Sequence, residues 1–212
     1  MRTQELIRTL EADQAAAPVR LGQRLLVSLA VAWLVSAILF GFTLGPRGDI
    51  ANAAAQPRFV FKFVITLLLA ATAIPLALRL VQPGATTRRS ALALAVVPAL
   101  LAMAVIIELF VVPAPRWGAN LIGSNAAVCL VFVPLFSLAP LAGALMALRL
   151  GAPTEPSYAG AVAGLLAGGL GAALYAAHCP DDSPLFVAAW YSLAIGFMAM
   201  IGALAGRKVL RW

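Results

Sequence analysis

Charge is what this sequence has least of. Asp, Glu, Lys and Arg make up 11% of its 212 residues, against 63% hydrophobic residues, and the mean hydropathy is +0.97. A soluble domain has no polar surface to spare at that balance, so an ordinary water-soluble fold is excluded. Histidine is nearly absent: His178 stands alone. With Ser183 and Asp182 in the same short stretch it supplies no separate nucleophile, oriented base and oxyanion site, so the chain does not read as an enzyme. Cysteine is scarce too. Cys129 and Cys179 are the only two, too few for a disulfide scaffold and not spaced as a CxxC zinc motif. No basic run is interleaved with stacking aromatics, so direct binding of nucleic acid is not expected.

What remains is apolar sequence in long pieces. A helix needs roughly 20 predominantly apolar residues to cross a bilayer, and such stretches occur at Leu25–Leu44, Phe59–Leu80, Ala91–Val112, Asn125–Leu148, Tyr158–Tyr175 and Leu185–Leu204. The expected fold is all-α and polytopic: a bundle over 25–212 with six spans and short connections, preceded by a tail at 1–24. Ala51–Ala55 after the first span has the small residues of a cleavage site, but a signal-peptide core is only about 7–15 residues long. The first span is longer and follows Glu5, Glu11 and Asp13, so it is read as retained.

Lys and Arg set the orientation. Arg2, Arg8, Arg20, Arg24, Arg79, Arg88, Arg89, Arg149, Arg207, Lys208 and Arg211 fall on one side, and Arg47, Arg58, Lys62 and Arg116 on the other. Eleven against four puts both termini in the cytoplasm, and the net charge of +7 reads as a topology signal.

Helices in lipid are held by close approach of small residues. Gly160, Gly164 and Gly168 recur every fourth position and form one narrow face of the fifth span. That seam suits another helix of the same chain or, alternatively, a second copy in a homo-oligomer. Gly196 and Ala203 share a face of the sixth span and are expected to meet it. Pro75, Pro98, Pro134 and Pro140 lie inside spans, as hinges or static kinks. No inverted repeat of three helices is visible, which weakens a transporter reading.

The topology brings the two cysteines to one depth on the non-cytoplasmic side, exposed to the envelope. Cys129 follows Gly123-Ser124-Asn125, and Cys179 lies in His178-Cys179-Pro180-Asp181-Asp182-Ser183. Glu108 adds a carboxyl group to the same layer, where an ionisable residue raises a question of function. Three chemistries fit the thiols: a structural disulfide, capture of a soft metal with help from His178 or a carboxylate, or oxidation as a signal. Asp181 and Asp182 read as solvated residues opening the last hairpin. No cofactor is implied beyond transient binding of a heavy metal.

On the cytoplasmic side, Thr3-Gln4-Glu5-Leu6-Ile7-Arg8-Thr9-Leu10-Glu11 has the spacing of a short amphipathic helix, with Leu6, Ile7 and Leu10 on one side. Helices below about 12–15 residues are marginal alone. Two settings would order it: a partner's groove, or the anionic lipid surface that Arg8, Arg20 and Arg24 would meet.

The chain resembles the NrsF family of membrane anti-sigma factors. The resemblance rests on Gly123-Ser124-Asn125-Ala126 leading to Cys129, on Leu148-Arg149-Leu150-Gly151-Ala152-Pro153-Thr154, on Ala159-Gly160-Ala161 with Gly164-Leu165-Leu166-Ala167-Gly168, on His178 to Ala188 followed by Trp190-Tyr191, and on Gly206-Arg207 with the closing Leu210-Arg211-Trp212. It implies six helices in the bacterial inner membrane and an inner amino-terminal segment that sequesters an extracytoplasmic-function sigma factor. It also implies that Cys129 and Cys179 contribute to sensing heavy-metal or oxidative stress. The alternatives are a small transporter or metal-tolerance protein using Glu108, Cys129 and Cys179 as a path, and a structural membrane subunit.

Overall fold

The computed structural model describes residues 20–211, and among these it is helical with no strand. Six helices are long and apolar enough to cross a membrane: α1 Leu21–Thr43, α2 Pro57–Leu80, α3 Arg88–Val111, α4 Ala126–Leu148, α5 Pro156–Ala176 and α6 Pro184–Val209. Short turns of helix at Ile50–Ala53, Ala114–Arg116 and Trp117–Ile122 fill the first and third connections. Pro57, Pro156 and Pro184 each open a helix at its first turn, where the missing N–H costs nothing. Gly45, at φ +63°, ends α1 by donating its N–H to the carbonyl of Phe40 at 2.9 Å, as a left-handed glycine cap does.

Two helix ends run well past the hydropathy boundaries. α1 begins at Leu21 and takes in Leu21–Arg24, four residues of the expected tail, while α6 continues past Leu204 to Val209. Backbone hydrogen bonding carries a helix beyond its apolar window, and Arg and Lys tolerate the ends because their long stems lead the charge out of the apolar layer.

α5 is the central helix. Of its most apolar window 83% is buried inside the protein, against 11% for α3 at the edge, and it packs against α6, α4, α2 and α1. Its composition explains the position: Ala159, Gly160, Ala163, Gly164, Ala167, Gly168, Gly169, Gly171, Ala172, Ala173 and Ala176 are buried and small, so neighbouring backbones come close on every side. Side chains add directed bonds. Ser28 donates to the carbonyl of Gly143 at 3.1 Å and the indole N–H of Trp33 to that of Leu170 at 3.2 Å.

The α5–α6 seam corrects the expected pairing. Gly160 faces Gly202 and Gly206, Gly164 faces the backbone at Met198 and Ala199, and Gly168 faces Ile195. Gly196 points elsewhere, with nothing within 4 Å of a Cβ built on it. A π-helical turn at Val187–Tyr191 interrupts α6 just before this face. The seam is thus filled by a helix of the same chain, so it is not open to a second copy.

Alternate connections gather at opposite ends. The 81–87 and 149–155 connections meet where Ala152 N–H donates to the carbonyl of Val81 at 2.9 Å, and the end of α6 joins them through Arg207 and Ser157, 2.6 Å apart. Connections 44–56, 112–125 and 177–183 assemble at the other end, the loop pole.

Candidate functional site

The loop pole is built around the 177–183 connection. From the first connection, Arg47 N–H donates to the carbonyl of Ala177 at 3.0 Å. The carbonyl of Gly45 lies 3.1 Å from His178 Nδ1. From α2, Lys62 is fully buried and directs Nζ at the carbonyl of Cys179 (2.7 Å), that of Asp181 (3.4 Å) and the carboxylate of Asp182 (2.5 Å). Arg47 Nη1 reaches Asp182 from the other side at 3.1 Å, while Nε and Nη2 form a fork on Asp49 at 2.6 and 2.8 Å. Phe59 lies beneath both cations, 5.7 Å from Arg47 Cζ and 5.4 Å from Lys62 Nζ. Asp49 and Asp182 together hold the Arg47 guanidinium above the usual arginine range, and Arg47 in turn holds the Asp49 carboxyl below its ordinary value.

Two carboxylates cap helices other than their own. Asp181 accepts from the backbone N–H groups of Ser124 and Asn125 at 3.1 and 3.0 Å, neutralising free donors where α4 begins. The turn that delivers Ser124 depends on Gly123. Its φ is +59°, and a Cβ there would lie 2.5 Å from the Phe186 ring and 2.8 Å from Asp181. Glu108, buried near the end of α3, accepts from the Ser183 hydroxyl at 2.8 Å, from Leu185 N–H at 3.0 Å and from Asn120 at 3.1 Å, with Arg58 at 3.7 Å. It therefore ties the edge helix α3 to the start of α6. Its role in this geometry is capping, apart from the thiols.

Asp181 and Asp182 are not solvated ends of a hairpin. Asp182 keeps 17% side-chain exposure between two cations, and Asp181 is committed to α4. The sequence pattern could not show this, because the partners lie in distant segments.

The thiols are also unlike their expected setting. Cys129 and Cys179 are both free and both fully buried, where exposure to the envelope was expected. They share one apolar cluster with Phe136, Tyr175, Phe186 and Tyr191. Tyr175 donates to the carbonyl of Asn125 at 3.2 Å, whereas the Tyr191 hydroxyl is buried with no hydrogen-bond partner. Burial pushes the Cys179 thiol above its ordinary value, partly offset by Lys62, so little of it is thiolate at neutral pH. Among the described residues no group of three or more His, Cys, Asp or Glu side chains converges as a metal site. Leu6, Ile7 and Leu10 lie outside the described residues.

The family model described as negative regulator of sigma F, NrsF, matches residues 10–212. The chain belongs to the NrsF family. It is 36% identical over 214 residues to the anti-sigma-F factor NrsF of Caulobacter vibrioides (strain NA1000 / CB15N), and 33% identical over 216 residues to the probable anti-sigma-F factor NrsF of Azospira oryzae (strain ATCC BAA-33 / DSM 13638 / PS), covering all of both chains in each case. No solved structure matches. NrsF proteins are regulators rather than enzymes, which agrees with a pole whose polar groups are spent on one another.

The sequence singled out Cys129, Cys179, His178 and Glu108, and the structure brings all four to this NrsF loop pole. It missed Lys62, Arg47 and the two aspartates as a unit. One signal was available: Lys62 sits inside an apolar stretch, where an ionised side chain must find a partner, and counting it only toward topology hid that.

Proposed function

We propose that this chain is an inner-membrane anti-sigma factor with both termini in the cytoplasm. Its 1–24 segment sequesters an extracytoplasmic-function sigma factor through Leu6, Ile7 and Leu10, and modification of Cys129 and Cys179 weakens that hold. The observation that carries the reading is the full-length likeness to proteins named anti-sigma-F factors. The lysine and arginine distribution supports placing the 1–24 segment in the cytoplasm.

Buried thiols bear on how a signal enters. Oxidation, or capture of a heavy metal by the two sulfurs, needs the 177–183 loop to lift first, and a sulfur that has reacted no longer fits the cluster it came from. α6 starts at that loop and runs to the opposite end, where Gly206 packs against Gly160 and the backbone of Pro156. A repacked loop pole therefore has a rigid element through which to bias the tail's end. The signal acts only through different affinities of the two bundle states for the sigma factor.

The test is co-purification of candidate sigma factors with the intact chain and with Leu6→Asp/Leu10→Asp. Recovery with the intact chain and loss with the variant is expected; equal recovery from both would reject the contact face. For sensing, Cys129→Ser and Cys179→Ser should each blunt release by a thiol-reactive metal, and unchanged release in both would overturn the thiol input. The transporter alternative is weakened because, among the described residues, the buried ionisable side chains Lys62 and Glu108 stay at the loop pole. Ion or metal flux in liposomes would restore it.

A further inference from the structure

Lys62 is a buried cation to which sensing by cysteine assigns no part. It is a residue of α2, yet Cys179 and Asp181 accept its hydrogen bonds and Asp182 its ion pair, and all three belong to a connection 117 or more positions away in sequence. An ammonium has three donors, and here each has a place on that one loop. The bond to the Cys179 carbonyl, at 2.7 Å, holds the backbone of the residue that carries the thiol. Arg47 also holds the loop, at the Ala177 carbonyl (3.0 Å) and at Asp182 (3.1 Å), but its contact with the Cys179 carbonyl is 3.5 Å and most of its fork is occupied by Asp49.

We propose that Lys62 is a positioning residue that holds the 177–183 loop closed over Cys179 and thereby sets how fast the thiols meet reagents from outside the bundle. The proposal deepens the thiol-input reading and rests on it for its biological meaning, but its geometry and its test do not depend on a sigma factor. Without the ammonium, two backbone carbonyls lose a donor and Asp182 loses its buried partner. Arg47 still reaches Asp182 at 3.1 Å and the Cys179 carbonyl at 3.5 Å, but the bonds that Lys62 made are replaced by water, which draws the loop outward. Asp182 is the complementary half of the latch. Removing its charge leaves Lys62 with carbonyls alone.

The experiment measures alkylation of Cys179 and Cys129 by a maleimide in the full chain in detergent, resolved by mass spectrometry against time. Lys62→Met is expected to accelerate Cys179 labelling at least about tenfold, and Asp182→Asn to accelerate it in the same direction. Lys62→Arg, which keeps charge and donors, should return the rate to within about threefold of the parent. A reporter thiol at Ala144→Cys, buried in the cluster around α4 and α5 toward the other end, should label at an unchanged rate in the Lys62→Met background. Unchanged Cys179 labelling in both Lys62→Met and Asp182→Asn would overturn the latch. So would equal acceleration at the reporter, or failure of Lys62→Arg to restore the rate. If labelling accelerates as expected while metal-induced sigma release is unaltered, the latch stands and the thiol-input reading falls.

Discussion

At the scale of single residues, the loop pole shows how buried ionised groups survive beside an apolar layer: Lys62 and Glu108 are each met by an opposite charge, and Glu108 also by a helix-terminal N–H. Glu108 combines both, so Glu108→Gln keeps the shape but gives up charge-assisted bonds to Ser183 and Leu185 and the pairing with Arg58. A loss of about 1–3 kcal/mol is expected from removing such bonds, read as a lower unfolding midpoint in detergent. Cys179 gives a second expectation. Because burial raises its pKa, thiolate keeps forming above the ordinary thiol value of 9.0. Its alkylation rate by iodoacetamide in the folded protein should keep rising with pH beyond that point, while the denatured chain levels off near it. Glu108 and the cysteines were legible in the sequence because each is conspicuous in its own surroundings. The Lys62–Asp182–Arg47 contacts were not, since they join a helix and two connections whose meeting is a tertiary fact, and Asp182 alone looks like any solvated turn residue.

At the scale of elements, the glycine repeat of α5 is a surface made for backbone contact. A Cβ at Gly160 or Gly164 would collide with the backbone of α6 at Gly202 or Met198, and a backbone cannot rotate out of the way. Gly164→Val should therefore cost about 1–3 kcal/mol or more, seen as reduced folded yield and earlier thermal aggregation. Gly196→Ala, with open space around it, is expected to stay within about 0.5 kcal/mol of the parent. The repeat itself could be read from spacing alone. Its partner face could not: small residues recur along α6, and the choice of Gly202 and Gly206 over Gly196 depends on how α6 is rotated. The π-helical turn at Val187–Tyr191 adds to that rotation and leaves no simple mark in the sequence.

At the scale of the molecule, hydropathy was enough to give six membrane helices, because length and apolarity are properties of each segment by itself. The central place of α5 and the peripheral place of α3 were less visible, as all six stretches are apolar and only the small residues of α5 hint at burial on every side. The proposed regulation asks for only modest coupling between the ends. A tenfold release of sigma factor corresponds to about 1.4 kcal/mol, less than the expected cost of disturbing the seam. Gly164→Val is therefore expected to uncouple metal response from sigma binding wherever the variant still inserts, measured as sigma recovery with and without a thiol-reactive metal. The two ends also differ in their electrostatics. Arg47, Arg58, Lys62 and Arg116 at the loop pole are balanced by Asp49, Glu108, Asp181 and Asp182, four against four. Such a surface offers no long-range field to gather oxyanions or metal cations from dilute solution. Encounter there is governed by ordinary diffusion and by the bare reactivity of the arriving species, and its rate should be indifferent to ionic strength.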